Sequence, residues 1–230
     1  MTVDYASLAA AVAEAGFLAR GGFVPEPGDG VPVPKGVATV RTLVLIGNAG
    51  PALWRAFAAD PGRPTRGRRP LDEWTRAILD PIARRFGAHA VYPFEGPPYL
   101  PFQRWARRAE GLHPSPIGTL IHPEYGLWHA YRAAFLFTRD LDVPAAPVHA
   151  SPCETCAEKP CLSACPVGAF APGCYDVPAC VGHLARPEGA DCMELGCRAR
   201  RACPVGRAYT FAPAQAAFHM AHFRREHRGT

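Results

Sequence analysis

Residues 1–152 contain no cysteine, and all nine cysteines of the chain fall between Cys153 and Cys203. A shift in composition this sharp divides the chain, and the expected domains are 1–148 and 149–230. Inside the cysteine segment the pentapeptide Ala-Cys-Pro-Val-Gly occurs twice, at 164–168 and at 202–206. The first group reads Cys153-x2-Cys156-x4-Cys161-x3-Cys165-Pro166. The second comprises Cys174, Cys180 and Cys192, followed by Cys197-x5-Cys203-Pro204.

Three chemistries compete for these thiols. Disulfides need an oxidising compartment, and an odd count of nine fits them poorly. Zinc suits thiolate tetrahedra, but its sites usually come as paired C-x2-4-C knuckles and nothing in zinc chemistry asks for a proline after each group. Iron–sulfur clusters explain more. In two-cluster bacterial ferredoxins, three cysteines of a run hold one cluster, and the fourth, before proline, crosses to the other. Proline at that corner supplies no N–H and stops the backbone from continuing as helix. Two such corners imply two 4Fe–4S clusters. The crossing rule assigns Cys153, Cys156, Cys161 and Cys203 to one cluster, and Cys165, Cys180, Cys192 and Cys197 to the other. Cys174 is left over, and on spacing alone it competes with Cys180.

The upstream part reads as a mixed α+β layer. Helices are expected over Asp4–Ala19, in "PALWRAFAAD", in "PLDEWTRAILDPIARRFG" and in "LPFQRWARRAEG". The runs "GVATVRTLVLIG" and "AHAVYPF" read as strands, and "GTLIHPEYGLWHAYRAAFLF" as two strands joined at Pro123–Gly126. A helix at "PAQAAFHMAHFRREH" is expected to dock on the rest of the chain. The longest apolar runs are far short of a membrane span, and the first residues lack the basic region of a secretory signal. The expected location is the cytoplasm. The charge of +5 is carried almost wholly by arginine, partly in the run "RPTRGRR" (Arg63, Arg66, Arg68, Arg69). Such a run suits a nucleic acid, an acidic redox partner or a phosphorylated ligand, but no nucleic-acid motif accompanies it.

The segments "CETCAEKPCLSACPVGAF", "CYDVPACVGHL" and "GCRARRACP" resemble the double-cluster segment of epoxyqueuosine reductases and of cobalamin-dependent reductive dehalogenases. That resemblance favours Cys180 over Cys174. The upstream run "IHPEYGLWHAYRAAFLF" is similar to cobalamin-processing proteins of the cblC family. The resemblance implies a flavoreductase-like α+β domain of the cobalamin type, then a small loop-rich, two-cluster ferredoxin-like domain with a C-terminal helix. It places His122, Tyr125, Trp128 and Arg132 nearest a cofactor face and implies no cobalt-ligating histidine. Two departures stand out: "PPYLPFQR" has no Asp where epoxyqueuosine reductase carries its catalytic one, and "HPSPIGTLI" lacks that family's Gly-Lys step.

The implied function is a redox protein that passes electrons through two clusters to a cobalamin-like cofactor or substrate in the N-terminal domain. An electron-donor protein (a reductase, ferredoxin or flavodoxin) is its implied partner. A ferredoxin-like carrier without cobalamin and an RNA-directed reductase are the rival readings.

Overall fold

The computed structural model describes residues 4–171 and 173–227. In chain order the first elements are α1 (Tyr5–Glu14), β1 (Leu18–Phe23), β2 (Thr42–Ala49), α2 (Ala52–Ala59), α3 (Pro70–Arg85), β3 (Ala88–Val91) and α4 (Phe102–Glu110). Then come β4 (His113–Pro114), β5 (Leu120–Ile121), β6 (His129–Phe137), α5 (Pro160–Ser163), β7 (Phe170–Ala171) and β8 (Cys174–Tyr175). The last are α6 (Val177–Leu184), α7 (Ala190–Leu195), α8 (Arg198–Arg201) and α9 (Pro213–Glu226).

The chain divides into two compact units, 1–111 with 130–148, and 112–129 with 149–230. The stretch 112–129 therefore belongs with the cysteines and not with the sequence that surrounds it, unlike the continuous 1–148 domain expected from composition.

The first unit is an α+β layer around a four-stranded sheet of order β1-β2-β6-β3. β2 is buried along its whole length, as a β-branched, apolar central strand must be. Gly47 within it is required by packing, because a Cβ there would stand 2.3 Å from the Ala130 carbonyl oxygen of β6. α3 begins with Pro70, carries Asp72 and Glu73 in its first turn and Arg84 and Arg85 in its last, all favourable to the helix dipole. It buries Leu71, Trp74, Leu79 and Ala83. Trp74 stacks on Phe17 at 5.6 Å and donates its indole N–H to Asp60 at 2.7 Å.

One expectation is corrected. The first helix stops at Glu14, and Leu18–Phe23 is a strand paired antiparallel with β2. The register slips between Ala19 and Gly22, where Gly21 takes φ +67° and a Cβ on Gly22 would meet the Leu43 carbonyl at 2.5 Å. A Gly-Gly step that looks like a turn is here a bulge inside a strand. The two strands expected on either side of Pro123–Gly126 are present as β5 and β6, in different sheets. β5 pairs with β4, whereas β6 lies in the four-stranded sheet. A bridge between His122 and Gly126 closes the turn between them.

The second unit is built of short helices and two-stranded ribbons. α9 packs against α7, and Arg224 of α9 donates to the Leu184 carbonyl at the end of α6. No described helix is long and apolar enough to cross a membrane.

Candidate metal centre

Eight of the nine thiols lie in two electrostatic neighbourhoods within the second unit. Burial raises the pKa of Cys153, and the charges of Cys203 and Cys156 raise it further. Cys161 is raised by burial and then by Cys203, Cys153 and Cys156. Cys203 is raised by burial and by Cys156. These four also line one pocket with Ile121 and Leu127. In the other neighbourhood burial leads again: Cys180 is raised by it and by Cys165 and Cys192, and Cys197 by it and by Cys180 and Cys192. Burial first, and neighbouring thiols second, hold Cys153, Cys161, Cys203, Cys180 and Cys197 toward the neutral form. Among the described residues no three Cys, His, Asp or Glu side chains converge as on a single metal ion. The two groups are thus defined by their mutual field.

The local chain explains how each sulfur is presented. α5 starts at Pro160 behind Lys159, which takes a left-handed φ of +41°, and it carries Cys161 inward. α6 carries Cys180, and its cap is the Asp176 carboxylate accepting from the Ala179 N–H at 2.8 Å. α7 carries the buried Cys192. Cys197 is the N-cap of α8, where the N–H groups of Arg200 and Ala199 partly offset the upward effect of burial on its thiol. The Ala169 N–H donates to Cys165 Sγ at 3.3 Å. An apolar cluster of Ile117, Ile121, Leu127 and Ala199 holds Cys161 and Cys203, with Cys153, Cys165 and Cys197 packed against it.

The two Cys-Pro corners share a sequence but not surroundings. Gly168 of the first has φ +59° and no atom within 4 Å of where a Cβ would project. Gly206 of the second has φ +73°, and its Cβ would lie 2.3 Å from the Tyr125 carbonyl. Gly126 faces it in turn, with a Cβ position 2.0 Å from the Val205 oxygen. The second corner is therefore pressed backbone to backbone against the 122–126 turn.

Cys174 is exposed on β8. It lines a cleft of about 830 Å³ together with His113, Cys153, Lys159 and Tyr175. Spacing gives no sign of this cleft, because its walls come from three separated segments.

The four residues expected at a cofactor face are engaged within the protein. His122 Nδ1 accepts from the Glu124 and Tyr125 N–H groups, both at 3.1 Å, so the ring closes its own turn and carries its proton on Nε2. Tyr125 stacks on that ring at 4.1 Å and meets Tyr209 edge-on at 4.8 Å. Trp128 is 2% exposed and packs on Phe211 and Ala216. Arg132 lies in the first unit, 3.4 Å from Asp72 and 3.5 Å from the Thr75 hydroxyl, and burial lowers its pKa. Nearby in sequence, Tyr131 donates to Glu110, which also pairs with the buried Arg20 at 2.7 Å. Of the arginine run, Arg63 donates to the carbonyls of Ala58 (2.8 Å) and Asp60 (3.2 Å) at the end of α2. Arg68 and Arg69 line a cleft of about 350 Å³ with Arg76 and Phe94.

The chain thus combines a layered α+β unit with a small cysteine-rich unit. No protein-family model matches the chain, and no curated protein does. Solved structures do, at identities that establish the fold alone. An epoxyqueuosine reductase crystallised with an epoxyqueuosine-modified tRNA-Tyr stem loop is 18% identical over 90% of this chain and 67% of its own, with a TM-score of 0.51. The Bacillus subtilis epoxyqueuosine reductase is 17% identical over 92% and 69%, with a TM-score of 0.52. A C. elegans B12-trafficking protein, CblC, is 12% identical over 95% of both chains, with a TM-score of 0.50. The resemblance read from the residues to these two families is thus found again in the fold.

Proposed function

We propose that the protein is an iron–sulfur redox protein that delivers electrons to a cobalamin-like cofactor or a substrate held by its first unit. The observation that carries this reading is the partition of eight cysteines into two groups of four, each mixing thiols from distant segments. Cys153, Cys156, Cys161 and Cys203 would hold one 4Fe–4S cluster, and Cys165, Cys180, Cys192 and Cys197 the other. When bound, the clusters supply one-electron relay at potentials set by hydrogen bonding, charge and burial. The chain's own contribution is the apolar shell of Ile117, Ile121, Leu127 and Ala199, which excludes water from the sulfurs between the groups. It also supplies backbone donors such as the Ala169 N–H, which stabilise charge on sulfur. The cobalamin arm rests on fold likeness to a B12-trafficking protein and to epoxyqueuosine reductases. A location in the cytoplasm and an electron-donor protein as partner belong to the same proposal.

One observation favours a second reading, a carrier without cobalamin: His122, Tyr125 and Trp128 spend their polar groups or faces on neighbouring protein, and Arg132 faces Asp72 through Nη2 while its buried Nε has no hydrogen-bond partner among the described residues. A single experiment separates the two. The protein is purified without oxygen, assayed for iron and sulfide, and titrated with hydroxocobalamin while the corrin spectrum is followed. About eight irons, the content of two cubanes, with saturable corrin binding supports the first reading. The same iron without binding leaves the carrier, and zinc in place of iron refutes both.

A further inference from the structure

The two Cys-Pro corners differ in what covers them. The second is closed by the chain itself: a Cβ on Gly126 of the 122–126 turn would stand 2.0 Å from the Val205 oxygen. The first has the same five residues and no such cover. Pro166, Val167 and Gly168 are exposed, Val167 at 41%, whereas Val205 is half-buried. Nothing lies within 4 Å of where a Gly168 Cβ would project. The loop that presents Cys165 is therefore an apolar tip open to solvent.

Charge gathers beside this tip. Ala164, which opens the first corner, lines a cleft of about 340 Å³ together with Arg198, Arg201 and Asp191. Of the three arginines of α8, Arg200 turns inward. Its Nε donates to the Leu127 carbonyl at 2.9 Å, and its guanidinium lies 4.6 Å from the centre of the Trp128 ring and 4.4 Å from that of Phe211, an aromatic cage. Arg198 and Arg201 point the other way, into the cleft. Both pair with the single carboxylate of Asp191, Arg198 at 2.6 Å. Two guanidiniums on one carboxylate leave the cleft with excess positive charge.

An apolar tip bordered by a charged cleft has the make-up of a docking face, a centre that sheds water inside a polar rim. We propose that the first corner, with Arg198 and Arg201 at its rim, docks an acidic electron-donor protein. This inference rests on the two-cluster reading of the proposed function. One electron passes from the reduced donor, which is left oxidised, to the cluster that Cys165 would help to hold. The second corner does not compete for the donor, because the 122–126 turn takes the place a partner would fill. Complementary charge steers the encounter and raises its rate, an effect that salt weakens. Transient electron-transfer complexes bury little area, so a tip and a rim suffice.

The test uses the full chain purified without oxygen, with its iron counted first. An oxidised plant-type 2Fe–2S ferredoxin is the acidic probe, and cytochrome c the basic one. Binding is read by surface plasmon resonance over a range of salt. Wild type binds the ferredoxin, less tightly as salt rises, and does not bind cytochrome c. In the double variant Arg198→Glu/Arg201→Glu the association rate falls by about tenfold or more. Val167→Glu, which touches no ion pair, weakens binding to a similar degree. Arg207→Glu makes the same kind of charge change directly after the second corner and stays within about twofold of wild type at about 0.15 M salt. In the stopped flow, ferredoxin reduced beforehand bleaches the clusters more slowly in the double variant and in Val167→Glu. If iron-loaded wild type does not bind the ferredoxin, or binds cytochrome c as tightly, the docking face is wrong. The same follows if neither variant changes binding, or if Arg207→Glu weakens it as much, since the attraction would then be diffuse charge. A wild-type protein with no iron–sulfur signal overturns the cluster reading, and this inference with it. Should the double variant lose its iron, Val167→Glu read against Arg207→Glu decides.

Discussion

Replacing one glycine in each Cys-Pro corner with alanine puts two identical local sequences in competition with their surroundings. Gly168→Ala places a side chain at φ +59° in open space. Its cost is that of a left-handed residue, about 1–2 kcal/mol. Gly206→Ala incurs the same backbone cost at φ +73° and adds a Cβ 2.3 Å from the Tyr125 carbonyl carbon and oxygen, and 2.5 Å from the Gly126 nitrogen. All three are backbone atoms in a turn already closed by two His122–Gly126 hydrogen bonds of 2.9 Å. They yield only if the turn moves, and overpacking of that kind adds about 1–3 kcal/mol. The expected losses are therefore about 1–2 kcal/mol for Gly168→Ala and about 2–5 kcal/mol for Gly206→Ala. At about 2–4 °C per kcal/mol for a chain of this size, scanning calorimetry separates them. Iron analysis gives a second readout: the Gly206 variant displaces Cys203 and loses iron, while the Gly168 variant keeps it. Equal shifts in melting temperature, or iron loss in the Gly168 variant alone, would refute the contrast drawn between the corners.

Cys174→Ala is expected to keep the full iron content, whereas Cys180→Ala loses about half, the share of one of two cubanes; iron and sulfide assays decide it. In the first unit, the Trp74 indole N–H holds the Asp60 carboxyl below its ordinary pKa. A depressed carboxyl contributes stability that is present above its unfolded pKa and is lost as pH falls through the folded value. Melting temperatures should therefore fall more steeply below about pH 4 in wild type than in Asp60→Asn. Parallel curves would refute the linkage.

The longer elements of the first unit were legible because their periodicity is set by one buried face. Leu71 and Trp74 mark α3, and the unbroken apolar run marks β2. What failed was partner choice. Alternating residues announce a strand without naming its neighbour: β5 and β6 stand on either side of Pro123–Gly126 as expected, but they belong to different sheets. β1 was hidden by Gly21 and Gly22, whose composition signals a turn while their geometry is a bulge against β2. At the candidate centre, spacing singles out the cysteines but cannot reveal their shell. The cage around Arg200 needs Trp128 and Phe211, which come from either side of the cysteine segment. Trp128 itself reads equally well as a cofactor platform, and only its burial beneath Phe211 distinguishes the two.

The path of the chain between its units has a consequence for modularity and for synthesis. The cysteine-rich unit is not a cassette that can be cut out at one point. A fragment beginning at residue 149 would lack Ile117, Ile121 and Leu127, three of the apolar residues packed around Cys161 and Cys203, as well as the carbonyl that holds Arg200. Any recombination that moved this unit intact would have had to carry two separate pieces. On the ribosome, the 112–129 stretch emerges roughly 70 residues before the segment that covers it, a wait of several seconds at about 5–20 residues per second. During that interval its apolar side chains stand exposed, so nascent-chain chaperones would be expected to engage this stretch before any other part of the unit.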